Sequence, residues 1–184
     1  MSPIDVNLTT CTISDATKII SDKTFSNCNK LTSVVIPQSV TSIGNIAFSS
    51  CRALETIIMG DSVRRIGSGA FAGCNLLKYN VKDNLMYLGN QANPYMVLVG
   101  VTDSNLESYT IDQNTKIICD KAFNNCKVMT SIVISDAVIF RGEFVFAYCE
   151  LLETINCKAT EQPSDWNSEW TVGTSAQVVW GYKD

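Results

Sequence analysis

Cysteine is the residue type with the greatest chemical potential in this sequence of 184 residues, which contains eight cysteines and no histidine. A thiolate can bind zinc, form a disulfide or act as a nucleophile. Without histidine, the chain lacks the usual general base and the commonest zinc ligand. It also has no Cys-x-x-Cys pair of the kind that binds zinc. The cysteines therefore indicate neither a catalytic thiol nor a zinc centre.

Five of the cysteines follow a phenylalanine by three residues, at a regular spacing. The phenylalanines are separated by 23, 23, 52 and 23 residues. The pairs are Phe25 and Cys28, Phe48 and Cys51, Phe71 and Cys74, Phe123 and Cys126, and Phe146 and Cys149. A unit of about two dozen residues cannot bury its own apolar face, so its copies must stack on one another. The spacing therefore predicts a solenoid of about five coils of 23 residues.

The three remaining cysteines also occupy repeat positions. Cys119 takes a joint where other coils have glycine, Cys157 takes a strand position, and Cys11 aligns with Tyr109. Equivalent side chains in adjacent coils lie about 4.8 Å apart and point in parallel, which disfavours disulfides between them. We predict a ladder of buried free thiols that behave as small hydrophobic side chains. The alternatives are one disulfide among Cys11, Cys119 and Cys157, or a metal site.

The elements that position these residues follow from two coils, LTSVVIPQSVTSIGNIAFSSC (31–51) and LETIIMGDSVRRIGSGAFAGC (54–74). The apolar residues Leu31, Val34 and Ile36 predict a short strand with one buried face. A second extended piece around 40–43 and a tight helical turn around 47–51 complete the coil. Three coils have glycine four residues before the phenylalanine: Gly44, Gly67 and Gly142. A bend with φ > 0 would explain that preference. The predicted class is α/β, a leucine-rich-repeat-like right-handed solenoid with short strands in a parallel sheet and short helical turns.

One inserted segment interrupts the series. Residues 11–36 align without gaps on residues 109–134 and match at 15 of 26 positions, so the repeat resumes in phase. The inserted sequence NLMYLGNQANPYMVLVGV (84–101) predicts a β-hairpin with Pro94 in its turn, a surface excursion from the solenoid. We predict one domain over 1–184. It comprises an N-terminal cap (1–16), coils 1–3 (17–81), a hairpin insertion (82–110), coils 4–5 (111–158) and a C-terminal cap (159–184).

Composition narrows the function classes. The net charge is -4, with no cluster of Lys or Arg, so nucleic acid and anionic membrane are poor partners. No run approaches the roughly 20 apolar residues of a membrane span, and MSPIDVNLTT at the N-terminus is not a signal peptide. Glu143, Glu150 and Glu153 are predicted to be solvated surface, and no phosphate, nucleophile-elbow or calcium-loop motif is present. We predict no enzyme activity, no catalytic residues, no metal and no cofactor.

The repeat resembles the BspA-like leucine-rich repeats, whose units of about 23 residues combine a strand, Pro, V-T-x-I-G, A-F and Cys. SVTSIGNIAFSSC and SVRRIGSGAFAGC are close to that pattern, and YLGNQANPYMVLVG is similar to an insertion that the family carries. PSDWNSEW followed by VVWGY is similar to the end of such arrays in gut bacteria. The resemblance covers 11–182. The chain departs from it at Arg141, which takes the position of Ile20, Ile43, Ile66 and Ile118. We expect a local shift of that coil.

The resemblance implies export to the cell surface and adhesion to host or neighbouring cells. We expect a non-enzymatic binding module for a protein partner on another cell. The binding face is predicted to be the outward strand positions, which alternate small polar and aliphatic residues. These positions are Ser33, Val35, Thr56, Ile58, Ser131, Val133, Thr154 and Asn156.

Two alternatives remain. One is a structural spacer without its own ligand. The other is a carbohydrate-binding module that uses the tryptophans Trp166, Trp170 and Trp180 as a platform for a glycan. Those aromatics are also suited to cover the open end of the array, and we predict that they form this cap.

Overall fold

The computed structural model describes residues 7–166 and 169–183. Residues 1–6 of the predicted N-terminal cap, and residues 167, 168 and 184 of the C-terminal cap, lie outside the described residues. The chain divides into two compact units. The first unit comprises Met1–Tyr79 and Leu88–Pro94, and the second comprises Asn80–Tyr87 and Tyr95–Asp184. The prediction of one domain over the whole chain stays a prediction.

The first unit is a β-solenoid of three turns. One parallel sheet contains β1 (Thr10–Thr12), β3 (Ser33–Val35) and β5 (Thr56–Ile58). A second parallel sheet contains β2 (Ile19–Ile20), β4 (Ser42–Ile43) and β6 (Arg65–Ile66). Each turn gives one strand to each sheet, because the apolar residues of both strands must meet in one core. Strands in successive turns pair in register at a shift of 23 residues, as in Ser33 with Thr56.

The second unit contains four turns. Its first sheet is parallel and has the strands β10 (Ser108–Thr110), β12 (Ser131–Ile134), β14 (Thr154–Cys157) and β15 (Gln177–Trp180). Its second sheet has the order β13-β11-β9-β8-β7. These strands are β7 (Asn80–Lys82), β8 (Leu85–Leu88), β9 (Val97–Val101), β11 (Ile117–Ile118) and β13 (Phe140–Arg141).

The total of about seven turns corrects the predicted five. Counting phenylalanines misses the turn that begins with β14, because Trp170 takes the place of the next phenylalanine. The ring of Trp170 lies 6.0 Å from that of Phe146, centroid to centroid, and so continues the aromatic stack. The count also misses the turn that begins with β15, which has no aromatic residue at that position.

The predicted helical turns are wrong, since the described residues contain no helix. Around each phenylalanine the backbone instead enters the left-handed region twice, two residues before the ring and two residues after it. These positive-φ residues are Lys23, Asn27, Ile46, Ser50, Gly69, Gly73, Lys121, Asn125, Phe144 and Tyr148. Alternate N–H groups then point along the stack: Ile46, Phe48 and Ser50 donate to carbonyls of the next turn over 2.9, 2.8 and 2.7 Å. A right-handed helix cannot include such residues, so this segment forms a third ladder of hydrogen bonds between turns.

The glycines before the phenylalanine are required for close approach and not for a positive φ. In the first unit, the Asp22 carboxylate accepts a hydrogen bond from the Asn45 N–H over 2.7 Å, and the Asn45 side-chain oxygen accepts one from the Ser68 N–H over 2.8 Å. A Cβ on Gly67 would lie 2.6 Å from that Asn45 oxygen. Ser21 and Cys119 tolerate a side chain at the equivalent position because theirs is the first joint of this kind in each unit.

The inserted segment is part of the core, which corrects the expected surface excursion. β8 and β9 are neighbouring strands on either side of the Pro94 segment, as predicted, but β9 also pairs in parallel with β11. Val97 and Leu98 of β9 are fully buried. β7 and β8 form an antiparallel hairpin. Its turn residues Asp83 and Asn84 both have positive φ, as a two-residue hairpin turn requires.

Stacked aromatic rings occupy the core of each unit. In the first unit, Phe48 is buried between Phe25 and Phe71, with ring centroids 4.9 and 5.9 Å away. In the second unit, Phe123 lies 5.7 Å from Phe146. Each ring fills the space between two turns, so the turns depend on one another for burial.

Candidate protein-binding surfaces

In the first unit, the predicted outward residues form two columns across one sheet. Ser33 is paired with Thr56, and Val35 is paired with Ile58, because the strands are parallel and in register. Val35 is 49% exposed and Ile58 is 44% exposed, whereas Val34 between the columns is buried. The columns therefore present one polar row and one aliphatic row to solvent. Such a surface can bind a protein through apolar contacts and hydroxyl hydrogen bonds.

In the second unit, the other four predicted residues form an equivalent pair of columns. Ser131 is paired with Thr154, and Val133 with Asn156. All four are only partly buried. This face is more polar than that of the first unit, because Asn156 takes a position that holds Ile58 there.

Prediction from the sequence missed the residues that extend these columns. In the first unit they are Thr10 and Thr12, which pair with Ser33 and Val35. In the second unit they are Ser108, Thr110, Gln177 and Val179. The alignment of Cys11 with Tyr109 was the signal for β1 and β10, since both are inward residues whose neighbours must face outward. The strand β15 has no such partner in the repeat pattern.

The cysteines are free thiols, and six of the eight are buried, as predicted for the repeat positions. Cys51 donates its S–H to the Phe25 carbonyl over 3.0 Å, and Cys149 donates to the Phe123 carbonyl over 3.1 Å. The hydrogen bond with Cys126 and burial raise the pKa of Cys149. A buried, protonated thiol is a weak nucleophile. The described residues contain no group of three or more Cys, Asp or Glu side chains placed to hold a metal ion.

Arg141 occupies the isoleucine position without the local shift that we expected. It pairs in register with Ile118 across β13 and β11 and is fully buried. Its guanidinium carbon lies 3.1 Å from the ring centroid of Trp166 and 3.9 Å from that of Trp170. Burial lowers the pKa of Arg141. Among the described residues, Nε and Nη1 have no hydrogen-bond partner.

Two of the three tryptophans form the predicted cap. Trp166 and Trp170 are 4% and 2% exposed, and Trp166 donates its N–H to the Val138 carbonyl over 3.0 Å. Trp180 is partly buried and lies 5.5 Å from Trp166, ring centroid to centroid. Buried rings cannot stack on a sugar, so the platform of three tryptophans is not present as one surface.

A family model for the BspA type leucine rich repeat region matches residues 5–96 and 101–164 in six copies. These residues include the strands, aromatic stacks and outward columns of both units. The chain therefore belongs to the BspA-type leucine-rich repeat family. A search of curated proteins finds no match. In the described residues, no helix is long and apolar enough to cross a membrane.

Solved structures of bacterial leucine-rich repeat proteins are similar to this chain. A T. pallidum leucine-rich repeat protein is 20% identical, with a TM-score of 0.45, over 80% of this chain and 58% of that chain. A Bacteroides ovatus leucine-rich repeat protein is 23% identical, with a TM-score of 0.45, over 83% of this chain and 40% of that chain. A leucine-rich cell surface protein of Faecalibacterium prausnitzii is 24% identical, with a TM-score of 0.43, over 86% and 50%. The chain thus spans about half the length of these structures.

Proposed function

We propose that this chain is a non-enzymatic module that binds a protein on a host or neighbouring cell through the outward columns of its solenoid sheets. The observation that carries the proposal is the pair of in-register columns in the first unit, where Val35 and Ile58 are exposed side by side. Aliphatic side chains next to a hydroxyl row are suited to the apolar centre and polar rim of a protein interface.

We also propose a cell-surface or secreted location. Membership of the BspA-type family supports it, and a similar structure is that of a cell surface protein. The free thiols are compatible with export, because their burial and hydrogen bonds protect them from oxidation.

The test is binding of the labelled chain to cultured epithelial cells and to bacterial cells, measured by flow cytometry. The double substitution Val35→Glu with Ile58→Glu should reduce binding at least tenfold, because it places two charges in the apolar row. Ile19→Glu is the matched control, since Ile19 is 61% exposed on β2 in the other sheet. It should leave binding unchanged.

Treatment of the cells separates the possible partners. Protease treatment should abolish binding if the partner is a protein, whereas glycosidase treatment should abolish it if the partner is a glycan. Equal binding by wild type and the Val35/Ile58 variant would reject the proposed face. Absence of binding to every cell type would favour a spacer, for which the outward Ser, Thr, Val and Ile residues reflect only strand propensity.

A further inference from the structure

One turn of the second unit differs from every other turn at three exposed positions. These positions lie two residues before the aromatic core residue, two residues after it, and two residues after the cysteine. The turns with Phe25, Phe48, Phe71 and Phe123 have, in that order, Lys23, Asn27 and Lys30; Ile46, Ser50 and Ala53; Gly69, Gly73 and Leu76; and Lys121, Asn125 and Val128. The turn with Phe146 has Phe144, Tyr148 and Leu151. It is the one turn of the five with a large apolar residue at all three positions.

All three side chains face solvent. Phe144 is 37% exposed, Tyr148 is 68% exposed and Leu151 is 56% exposed. They belong to one compact segment, because the N–H groups of Ala147 and Cys149 donate to the carbonyls three residues earlier over 3.1 and 3.2 Å. We call these three residues the aromatic patch.

The backbone of the aromatic patch is strained. Phe144 has φ 51° and Tyr148 has φ 61°, in the left-handed region that bulky residues rarely adopt. In the turn with Phe71 both positions are glycine, which adopts this conformation without a steric cost. Exposed rings add nothing to the core in return, so folding does not explain why these residues are aromatic.

The charge around the aromatic patch is negative. Residues 142–157 contain Glu143, Glu150 and Glu153 and no Lys or Arg. All three carboxylates are exposed. Lys127 of the preceding turn lies 3.6 Å from Glu150, but both side chains are more than half exposed and such a pair is weak. A partner with apolar side chains next to basic ones would match this surface in both respects.

We propose that the aromatic patch is a second docking surface, specific for a polypeptide segment in which apolar residues alternate with Lys or Arg. The proposal rests on the proposed function in that it assumes a protein-binding solenoid, but it uses a different surface from the outward columns. The two can therefore fail separately.

The test uses two fluorescein-labelled 12-residue peptides, one that alternates leucine or tyrosine with lysine and one with glutamate in place of lysine. The wild-type chain should bind the lysine peptide at least tenfold more tightly than the glutamate peptide, and added salt should weaken this binding. The triple substitution Phe144→Gly, Tyr148→Gly and Leu151→Ala takes residues from equivalent positions in other turns and leaves the charge unchanged. It should weaken binding of the lysine peptide at least tenfold.

Two controls keep the result interpretable. The triple variant should unfold in urea at the same or a higher concentration than wild type, because glycine removes strain at two positions. The Val35/Ile58 variant should keep its affinity for the lysine peptide. Unchanged binding by the triple variant would mean that the net negative charge alone attracts the peptide, and would overturn the proposal. It would also be overturned if wild type bound neither peptide, or if the triple substitution abolished self-association or glycan binding instead.

Discussion

Replacement of Arg141 by methionine should stabilise the second unit. Methionine is unbranched and similar in length, so it can fill the space between Trp166 and Trp170. It removes a buried charge that has no carboxylate in contact and two donors, Nε and Nη1, that lack partners among the described residues. It also removes the stacking of the guanidinium on the two indoles and the contact of Nη2 with the Cys157 sulfur, at 3.6 Å.

The balance of these terms favours methionine. Each unsatisfied buried donor costs about 1–3 kcal/mol, so relief of two gives about 2–6 kcal/mol. A desolvated cation–π contact is worth about 2 kcal/mol, and the two contacts share one guanidinium. We expect a net gain of about 1–3 kcal/mol in the free energy of unfolding, in line with other replacements of buried charges by apolar residues.

Urea unfolding followed by far-UV circular dichroism and by tryptophan fluorescence measures this gain. Ile118→Met is the matched control, because Ile118 is buried and pairs with Arg141 in the neighbouring turn. It should change stability by less than about 1.5 kcal/mol. Arg141→Lys should be less stable than both wild type and Arg141→Met, because it keeps the charge and loses the planar stacking. If Arg141→Met lost more than about 1 kcal/mol relative to wild type, stacking between the indoles would outweigh the burial of the charge and the reasoning would be refuted.

Three further predictions concern the core and its charged and thiol groups. Phe48→Ala should cost about 3–5 kcal/mol in a urea titration, and Phe25→Ala should cost less, because Phe48 has a ring stacked on both faces; equal small losses would contradict the stacking. Asp112 is a buried carboxylate 2.6 Å from the Lys82 ammonium. Burial opposes ionisation, but the hydrogen bonds from Lys82 and Asn114 outweigh it and hold the pKa of Asp112 below its ordinary value of 3.8. Its contribution is therefore present above about pH 3.8 and lost as pH falls through the lower folded value, so thermal melts of wild type and Asp112→Asn should converge in that acid range. Native Cys51 should react with a thiol reagent far more slowly than the same residue in urea, and fast native labelling would show that it is not enclosed between turns.

Much of the repeat could be predicted from the sequence, because its residue types are fixed by burial. Phe48, Cys51 and Val34 lie in a core that accepts only certain shapes, so their spacing predicts strands and a stacked array. The outward residues could be predicted from strand alternation alone. The last two turns could not be counted in this way, because Trp170 replaces phenylalanine in one and β15 has no aromatic residue.

The third ladder was wrongly predicted as a helical turn because its shared property belongs to the backbone. The positions with positive φ hold Lys23, Ile46, Gly69 and Phe144 among others, and these side chains have nothing in common. The burial of the insertion was also missed. Its alternating apolar residues were correctly interpreted as strands, but nothing in them indicates that β9 pairs with β11.

The register of 23 residues limits how such a chain can change in length. In the first unit, the side chain of Asp22 binds the backbone of Asn45, and the side chain of Asn45 binds the backbone of Ser68. The N–H of Lys23 is likewise bound by the Asn45 carbonyl of the next turn. A deletion of one residue would misalign three ladders at once, whereas loss or gain of a complete turn would leave every remaining partner in place. Recombination between copies of the repeat therefore offers a route by which genes of this family gain and lose whole turns while each product still folds.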